Sequence, residues 1–471
     1  MIPIVEYAGR DVAVFGLGRT GLSAAKALMA GGARVHAWDD NEDTRAKAIE
    51  AGVPLDDINK RDWQGFAALV LSPGVPYKFP QPHRVVRMAE MVNVPVVGDM
   101  ELFARAVLSL PERGRPKIVG ITGTNGKSTT TALIGHILKE AGRDVRVGGN
   151  IGTGVLDMAP LHAHAIYVLE LSSYQLDLVK SLHCDVAVWL NLSPDHLDRH
   201  GGMDGYIAAK KRIFNNQTAR DWAIVGVDDL HSQSVAMERS ASGPARVAQI
   251  SAEFALGHGV SAIEGRLFDC LSGKALRAGD LRDAAALPGR HNHQNAAAAY
   301  AACRALGVDS QVIMAAIDTF PGLPHRLEVA GVVDGVRFIN DSKATNAQAA
   351  EHALKAFPKV YWIAGGRAKS GGIDELEPLF PRVAKAYLIG EAQDDLAASL
   401  KGKAPTEKCG DLERAVRKAH ADAAQSGEAD PVVLLSPACA SFDQFTDFEA
   451  RGDAFKAAVA ALDLERMKAT A

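Results

Sequence analysis

The sequence contains few cysteines, and none of them suggests a covalent framework. The 471 residues include Cys184, Cys270, Cys303, Cys409 and Cys439, which are scattered, odd in number and never spaced as CxxC. This usage excludes a disulfide-stapled scaffold and a structural zinc module, and it is typical of reduced thiols in a cytosolic protein.

Long apolar runs and a strong charge imbalance are also absent. No run approaches the roughly 20 apolar residues that cross a bilayer, and the N-terminus has no basic segment followed by the apolar stretch of a secretory signal. The formal net charge is only −4, which gives no electrostatic basis for binding nucleic acid or an anionic membrane. We therefore expect a cytoplasmic protein that has neither a nucleic acid nor a membrane as its partner.

The strongest motif in the chain is a glycine loop between a short apolar strand, predicted over 118–121, and a helix predicted over 129–139. The loop reads GTNGKS over 123–128. Backbone N–H groups and the helix dipole favour an anion there, Lys127 adds a positive charge, and the serine that follows can place its hydroxyl on Mg²⁺. The pattern predicts a nucleoside triphosphate site, although Ile121 stands where the usual P-loop has a glycine.

A second glycine motif lies near the N-terminus. Residues 16–21 (GLGRTG) follow a strand predicted over 11–15, and an acidic pair at 39–40 ends the next strand, which is the pattern of a dinucleotide-binding turn. Alone, the motif indicates an NAD-dependent oxidoreductase, but the same glycines serve any phosphate-bearing ligand or a purely structural turn. A third strand, predicted over 67–71, ends in Ser72-Pro-Gly-Val75, whose turn would face the same sheet edge.

Polar side chains follow two strands of the central segment. Glu170 comes directly after a strand predicted over 165–169, and the sequence NLSPDH at 191–196 follows the next one. Because the carboxyl ends of parallel strands meet in one crevice, Glu170, His196 and Ser128 are expected to converge on a metal–phosphate cluster.

Two other polar stretches of the central segment are less specific. Lys210, Lys211 and Arg212 lie on a helix predicted over 206–214, where a charge run is typical of a solvated face. Residues 289–295 (GRHNHQN) open an alanine-rich helix and indicate a polar turn that faces a ligand.

The last third of the chain repeats the pattern of a strand followed by a polar loop. Three such loops follow strands predicted over 336–339, 360–364 and 432–435; they read NDSKATN over 340–346, GGRAKS over 365–370 and SPACASFDQF over 436–445. Three in succession indicate one side of a binding cleft in a doubly wound domain.

These patterns predict an α/β protein of three domains, since 471 residues exceed one ordinary core. We expect an N-terminal Rossmann-like domain over 1–110, a central P-loop ATPase-like domain with a mostly parallel sheet over 111–323, and a C-terminal Rossmann-like domain over 324–471. Ligand groups on all three domains predict closure of the C-terminal domain on the other two.

The set of motifs resembles the ATP-dependent Mur ligases of peptidoglycan synthesis, and most closely the branch that adds D-glutamate. The motifs occur in family order along nearly the whole chain: GLGRTGLS at 16–23, GITGTNGKS at 120–128, GGNIG at 148–152, LELSSYQL at 169–176, DHLD at 195–198, GLPHR at 322–326, NDSKATN at 340–346 and LSPACAS at 435–441. The nucleotide loop and the DHLD motif are shared with folylpolyglutamate synthase. The first and last motifs, together with SSYQ, point to the D-glutamate-adding branch.

The resemblance implies a cell-wall reaction. ATP would phosphorylate the lactoyl-alanine carboxylate of UDP-N-acetylmuramoyl-L-alanine, the amine of D-glutamate would attack the acyl phosphate, and ADP and phosphate would be released. The implied cofactors are ATP and Mg²⁺, with two ions, and the expected state is a monomer. Such chemistry depends on positioning and charge neutralisation more than on acid–base catalysis.

The resemblance also assigns residues. The implied catalytic residues are Lys127, Glu170, His196, Lys210 and Lys343, and the implied Mg²⁺ ligands are Ser128, Glu170, His196 and a carbamylated Lys210. The implied ATP-binding residues are Gly123, Thr124, Asn125, Gly126, Lys127, Ser128, Thr129, Asn292, Asn295, Arg326 and Asp341. The implied substrate-binding residues are Arg19, Thr20, Ser72, Gly74, Asn150, Ser172, Gln175, Thr345, Lys369, Ser441, Phe442 and Phe448.

Alternatives of two kinds stay open. Another Mur ligase, adding L-alanine or a diamino acid, or a folylpolyglutamate synthase would keep the mechanism and change the substrate; the N-terminal glycine domain disfavours the folate enzyme. A dinucleotide-dependent dehydrogenase would leave Lys127, Glu170 and His196 without a use. A non-catalytic switch would hydrolyse ATP and form no amide with any amino acid.

Overall fold

The computed structural model describes residues 1–284, 286–368 and 372–470, with side chains described as far as residue 464. Two compact units divide the chain, Met1–Phe320 and Pro321–Ala471. The first unit contains two separate sheets and the second unit contains one. No described helix is both long and apolar enough to cross a lipid bilayer.

A small parallel sheet begins the first unit. Its strands, in the order β2-β1-β3-β4, are β1 (Asp11–Phe15), β2 (Arg34–Trp38), β3 (Phe66–Leu71) and β4 (Val96–Val97). The helices between and after them are α1 (Arg19–Ala30), α2 (Glu42–Glu50), α3 (Arg84–Met91) and α4 (Asp99–Leu108). Strands β1 and β3 are almost wholly buried because helices cover both sheet faces, which explains their continuous apolar sequences.

The second sheet of the first unit has nine strands. In the order β13-β12-β11-β10-β9-β8-β5-β7-β6 they are β5 (Lys117–Thr122), β6 (Asp144–Gly149), β7 (Ala165–Glu170), β8 (Val186–Trp189), β9 (Trp222–Gly226), β10 (Arg246–Ser251), β11 (Gly259–Ile263), β12 (Arg266–Asp269) and β13 (Leu276–Asp280). The strands from β11 to β6 are parallel, and the β11–β12–β13 edge is antiparallel. The carboxyl ends of β5, β7 and β8 are therefore neighbours, as the polar residues at their ends predicted.

The described α-helices beside this sheet are α5 (Lys127–Glu140), α6 (Ser173–Asp177), α7 (Leu197–His200), α8 (Met203–Lys211), α9 (Leu230–Ser242), α10 (Arg290–Ala305) and α11 (Ser310–Asp318). Leu133, Ile134 and Ile137 of α5 belong to the same core as the buried alanines of α10. Small side chains let α10 approach α5 and the sheet closely, which brings the N-termini of both helices to one edge of the sheet.

The second unit has a six-stranded sheet. In the order β14-β15-β19-β16-β17-β18 its strands are β14 (Glu328–Val333), β15 (Val336–Asn340), β16 (Val360–Gly365), β17 (Val383–Ile389), β18 (Thr406–Gly410) and β19 (Val432–Leu435). All pairs are parallel except β14–β15. The helices are α12 (Ala347–Ala356), α13 (Gln393–Leu400), α14 (Leu412–Ala424) and α15 (Phe448–Thr470). Because β15, β19 and β16 are adjacent, the three predicted polar loops follow neighbouring strand ends.

Several predicted boundaries needed correction. The helix predicted from residue 129 begins at Lys127, and residues 290–295, predicted as a turn, form the first turns of α10. Glycines with positive φ, Gly126 and Gly289, precede these two helices and end the loops earlier than the apolar pattern indicated. The helix predicted over 206–214 ends at Lys211 and continues as a 3₁₀ turn, Arg212–Phe214.

Candidate active site

The loop between β5 and α5 has the geometry of an anion-binding turn. Gly126 takes φ +83° directly before α5, and a Cβ built there would lie 2.2 Å from Asn295 Oδ1. Lys127 Nζ donates to the carbonyl oxygens of Gly123, at 3.0 Å, and Thr124, at 2.8 Å. Ile121 lies inside β5 and is fully buried. The strand therefore extends through the position at which the usual P-loop has the first glycine of its turn.

Asn191, at the end of β8, fastens this loop, and the sequence motifs did not single it out as a site residue. Its carbonyl oxygen accepts from Thr124 N at 3.0 Å. Its side chain accepts from Asn125 N at 2.9 Å and donates to the Asn125 carbonyl oxygen at 3.1 Å. The Asn191 side chain also donates to Gln294 Oε1 at 3.4 Å, which connects the nucleotide loop to α10.

The predicted ATP-binding asparagines of α10 lie against the same loop. Asn295 Nδ2 donates to Asn292 Oδ1 at 3.1 Å, and Asn292 Nδ2 donates to the carbonyl oxygen of Pro288 at 2.9 Å. Both asparagines are almost buried, and the Asn295 carboxamide oxygen is the atom that a side chain at Gly126 would strike. The structure thus joins residues 123–129 to Asn292 and Asn295, which the spacing of the motifs could not do.

A cavity of about 310 Å³ opens between loops of the two sheets of the first unit. The predicted substrate residues that line it are Arg19, Thr20, Ser72, Gly74, Asn150, Ser172 and Gln175, and the predicted catalytic residues that line it are Lys127, His196 and Lys210. The glycine turn after β1, the loop after β3 and the loops of the nine-stranded sheet therefore face one space. No motif alone predicted this juxtaposition.

Several of these side chains already have partners that set their positions. Arg19 donates to the carbonyl oxygens of Gly152, at 3.0 Å, and Asn150, at 3.3 Å. Ser172 and Gln175 form a capping box at the start of α6, in which the Ser172 hydroxyl accepts from Gln175 N and the Gln175 side chain accepts from Ser172 N. The capping box therefore fixes the positions of Ser172 and Gln175 relative to α6 at the edge of the cavity.

Arg199 is a second residue that the sequence analysis missed. Its guanidinium donates to the carbonyl oxygens of Gly74 at 2.8 Å, Val75 at 3.0 Å and Pro73 at 3.3 Å. The same group stacks over the ring of Tyr174, 4.6 Å from its centre. Arg199 therefore holds the loop after β3 against the central sheet, three residues after His196.

Glu170 has a carboxylate oxygen available for a cation. Its Oε1 accepts from Asn150 Nδ2 at 2.8 Å, whereas its Oε2 is buried and has no hydrogen-bond partner in the described parts of the chain. A buried carboxylate oxygen without a donor is costly unless a cation or another ligand completes it. Ser128, in the first turn of α5, is also almost buried.

Lys210 is buried, which corrects the interpretation of 210–212 as a solvated charge run. Its side chain is only 1% exposed, and Nζ donates to the carbonyl oxygen of Gly123 at 2.7 Å. Burial, and then the neighbouring charge of Lys127, lower the pKa of Lys210 well below its usual value, which favours the neutral amine. Lys211 pairs instead with Glu238.

His196 stands at the entrance to α7 with φ +53°. Its Nε2 lies 3.4 Å from Asp195 Oδ2, and its ring centre lies 4.9 Å from that of Tyr174. Within the described residues no cluster of three His, Cys, Asp or Glu side chains forms a ready-made metal site. The predicted ligand set contains two residues of those types, Glu170 and His196, so its other members would have to be Ser128 and a modified Lys210.

The second unit carries the remaining predicted residues. Asp341 is buried, accepts from Ser436 Oγ at 2.8 Å and has Arg326 as a neighbouring charge; burial raises its pKa to about 7. Lys343 Nζ lies 5.7 Å from the ring centre of Phe448, and the Thr345 N–H donates to the Lys343 carbonyl oxygen at 2.9 Å.

The other predicted residues of the second unit differ in exposure. Ser441 is buried, whereas Phe442 is 65% exposed. Lys369 lies outside the described residues.

Comparison with protein families decides the assignment. The sequence matches the Mur ligase middle domain over residues 121–303 and the "Mur ligase, glutamate ligase domain" over residues 325–439. The chain belongs to the Mur ligase family. The resemblance inferred from the motifs is confirmed.

Similar proteins cover almost the whole chain. Proteins named UDP-N-acetylmuramoylalanine–D-glutamate ligase are 58% identical in Caulobacter sp. (strain K31), over 98% of both chains, and 51% identical in Rhodospirillum rubrum, over 100% of this chain and 98% of that one. The UDP-N-acetylmuramate-alanine ligase MurC of Thermotoga maritima has a similar structure, with a TM-score of 0.57, 17% identity and coverage of 98% of this chain and 100% of that one. That likeness confirms the predicted α/β Mur ligase fold with its mostly parallel sheets. Like its family, this Mur ligase is an ATP-dependent ligase.

Proposed function

We propose that this Mur ligase joins D-glutamate to UDP-N-acetylmuramoyl-L-alanine, with ATP converted to ADP and phosphate, in peptidoglycan precursor synthesis. The observation that carries the proposal is the cavity of the first unit, where the turn after β1 and the loop after β3 face Lys127, Asn150 and His196. Relatives of that name, 58% identical over 98% of the chain, support the choice of substrates.

The nucleotide end of the reaction uses the loop before α5. Backbone N–H groups at the helix start and the Lys127 ammonium would neutralise the phosphate charge as the γ-phosphoryl group moves to the substrate carboxylate. Asn191 holds this loop in place through its hydrogen bonds with Thr124 and Asn125. The residues proposed to complete the ATP site are Gly123, Gly126, Ser128, Thr129, Asn292, Asn295, Arg326 and Asp341.

The residues present fit Mg²⁺, with two ions proposed. The oxygen of Glu170 without a partner and the hydroxyl of Ser128 are the hard donors that Mg²⁺ prefers, and His196 lines the same cavity as Lys210. In its neutral form the Lys210 amine would attack CO₂: the N–C bond forms as one C=O π bond opens onto oxygen, a proton leaves to solvent, and the resulting carbamate would offer an anionic oxygen to Mg²⁺. Bound Mg²⁺ supplies charge neutralisation and orientation of the phosphates.

We propose that different residues bind the nucleotide sugar and the amino acid. Arg19, Thr20, Ser72, Gly74, Ser172 and Gln175 would bind the UDP-muramoyl part, and Asn150 and Lys343 would steady the acyl phosphate. The D-glutamate residues would be Thr345, Lys369, Ser441, Phe442 and Phe448. The amine attacks the acyl phosphate carbon, the C–N bond forms, the carbon–oxygen bond to phosphate breaks, and the amine proton passes to solvent or phosphate.

The proposed function assigns one ligand to each of three domains. The separate sheets support three domains, 1–110 for the nucleotide sugar, 111–323 for ATP and 324–471 for the amino acid. The enzyme would act in the cytoplasm as a monomer, without nucleic acid or membrane partners. The scattered cysteines are all buried.

Phosphate release tests this function directly. The purified chain is incubated with ATP, Mg²⁺ and UDP-N-acetylmuramoyl-L-alanine, and D-glutamate, L-glutamate, L-alanine or a diamino acid is added in turn. We expect release that depends on D-glutamate alone, with an amide product detected by mass spectrometry. Release with another amino acid would overturn the substrate, and ATP hydrolysis without any amide would overturn the ligase assignment.

A further inference from the structure

Among the described side chains of the second unit, Arg451 is the largest charged one that is fully buried. It lies in the first turn of α15, is 1% exposed, and forms no ion pair with a carboxylate in the part of the chain that the structure describes. Burial lowers its pKa to about 10, which still leaves the guanidinium protonated at neutral pH. A buried cation of this kind must be stabilised by hydrogen bonds to dipoles.

The guanidinium takes these dipoles from three different loops. Nε donates to Ser342 Oγ at 3.0 Å and Nη2 to the Ser342 carbonyl oxygen at 2.9 Å, in the loop after β15. Nη1 donates to the carbonyl oxygen of Cys439 at 3.1 Å, in the loop after β19, and to that of Gly365 at 3.4 Å, at the end of β16. One planar group therefore binds the carboxyl ends of three adjacent strands.

The three loops are also fixed to one another around this group. Arg367 and Ala440 exchange two backbone hydrogen bonds of 2.9 Å, which join the chain after β16 to the loop after β19. A Cβ added at Gly366 would lie 2.2 Å from the Ala440 carbonyl oxygen and 3.1 Å from Arg451 Nη1. Ser342 Oγ, besides accepting from Arg451, donates to the carbonyl oxygen of Phe448 at 2.8 Å.

The residues next to these contacts are those that face the chemistry. Lys343 follows Ser342, Ser441 lies two residues after Cys439, and Phe448 begins the helix that carries Arg451. We propose that Arg451 is a positioning residue of the amino-acid site, whose guanidinium fixes the loops that carry Lys343, Ser441 and Phe448 in one arrangement. The identity of the amino acid rests on the proposed function, whereas the fixing of the loops does not.

The geometry requires an arginine. A planar guanidinium has five N–H donors in a rigid fork, and here it reaches four acceptors in different directions. A lysine would keep the charge, but its single ammonium group cannot span the same acceptors. The carbonyl oxygens that lose a donor would be buried and unsatisfied, so the loops would separate.

Three variants test the inference in the full-length protein. Arg451→Lys keeps the charge and loses the fork, and Ser342→Ala is a milder change that removes the hydroxyl shared by Arg451 and Phe448. Arg382→Lys is the matched control, because Arg382 also donates to backbone carbonyl oxygens, those of Phe357 and Lys355, but outside the three loops.

Two measurements distinguish loop fixing from a general loss of stability. Amide hydrogen exchange of the free protein is expected to accelerate at least about 10-fold at residues 341–346, 365–368 and 436–441 in Arg451→Lys and less in Ser342→Ala, with the strands and helices of the second unit outside these loops and the first turn of α15 unchanged. Steady-state kinetics are expected to give a KM for the amino acid about 10-fold higher in Arg451→Lys, with the KM values for ATP and the nucleotide sugar within about twofold of wild type.

Each outcome has a defined meaning. Unchanged exchange in Arg451→Lys and Ser342→Ala would overturn the inference, as would faster exchange with an unchanged KM for the amino acid. Equal effects in Arg382→Lys would also overturn it. If wild type formed no amide with any amino acid, the proposed function would fail, whereas the exchange measurement would still decide whether Arg451 fixes the loops.

Discussion

Asp99 is a buried carboxyl group that the proposed reaction does not use. It begins α4, where its Oδ2 accepts from Gln175 Nε2 at 3.4 Å and its Oδ1 has no hydrogen-bond partner in the described residues. Burial raises its pKa from 3.8 to about 6. Because the folded-state pKa is the higher one, the unfolded chain ionises first as the pH rises, and the folded state loses stability between about pH 4 and pH 6.

Asp99→Asn should remove this pH dependence. Asparagine keeps an acceptor for Gln175 but cannot ionise, so the variant should gain about 3 kcal/mol relative to wild type over the full rise from below about pH 3 to above about pH 7, from about 1.36 kcal/mol per pKa unit, with most of the gain between about pH 4 and pH 6. The gain should persist at pH 7 and 8. Urea unfolding of both proteins at each pH measures it, and a difference that does not vary with pH would contradict the prediction.

The environments of several single residues could not be predicted from the sequence. The charge run at 210–212 has the composition of a solvated face, and only the resemblance to Mur ligases indicated that Lys210 is different. Lys210 is buried because α8 packs against the nucleotide loop. Its hydrogen-bond partner in that loop, Gly123, is 87 residues away along the chain. Asn191, Arg199 and Arg451 act through hydrogen bonds with backbone N–H groups and carbonyl oxygens, and a sequence pattern carries no signal for such contacts.

At the scale of one element, α5 offers a matched pair of glycines at its two ends. Gly126 and Gly142 have φ values of +83° and +72°, but a Cβ at Gly126 would strike Asn295 whereas nothing lies within 4 Å of one at Gly142. Gly142→Ala should therefore cost about 1 kcal/mol through backbone strain alone and leave ATP binding unchanged.

Gly126→Ala should cost more and weaken ATP binding at least about 10-fold, because the clash displaces the N–H groups that face the phosphates. Chemical unfolding and calorimetric titration with ATP measure the two effects. Equal ATP affinities in the two variants would refute the role of the Asn295 contact.

Elements were predictable where burial is complete on both faces. Strands β1 and β19 have the predicted bounds, because continuous apolar runs between helices leave a clear pattern. Strand β14 was missed because it is an antiparallel edge strand with mostly exposed or half-buried residues. Helix α9 was missed because only Ser232, Val235 and Ala236 of its 13 residues are buried, which is too few for a helical period.

At the scale of the whole molecule, each unit has hydrophobic cores of its own. Every core cluster lies entirely within residues 1–320 or entirely within residues 321–471. The sequence predicted three domains from strand–helix alternation, and each predicted segment contains one sheet. The alternation of strands and helices shows where each sheet lies along the sequence, but it does not show which sheets pack into one compact unit. The two units could therefore not be predicted.

The fragment 321–471 should therefore fold alone. We expect cooperative thermal unfolding by circular dichroism and a dispersed amide spectrum, because its six-stranded sheet has helices and two apolar clusters of its own. The fragment 321–435, which lacks α15 and with it Phe455 and Val459 of one cluster, is the control and should not unfold cooperatively. A non-cooperative transition in the longer fragment would count against an independent core.

The pairing of Asn191 with the nucleotide loop has a consequence for binding. Two side-chain hydrogen bonds and one backbone hydrogen bond with Asn191 hold Thr124 and Asn125 in place through groups of the protein itself. A loop that is already ordered gives up little conformational freedom when a ligand arrives, so a larger share of the contact energy is retained as affinity. The ordering entropy of the phosphate loop is lost during folding of the chain and not during capture of ATP.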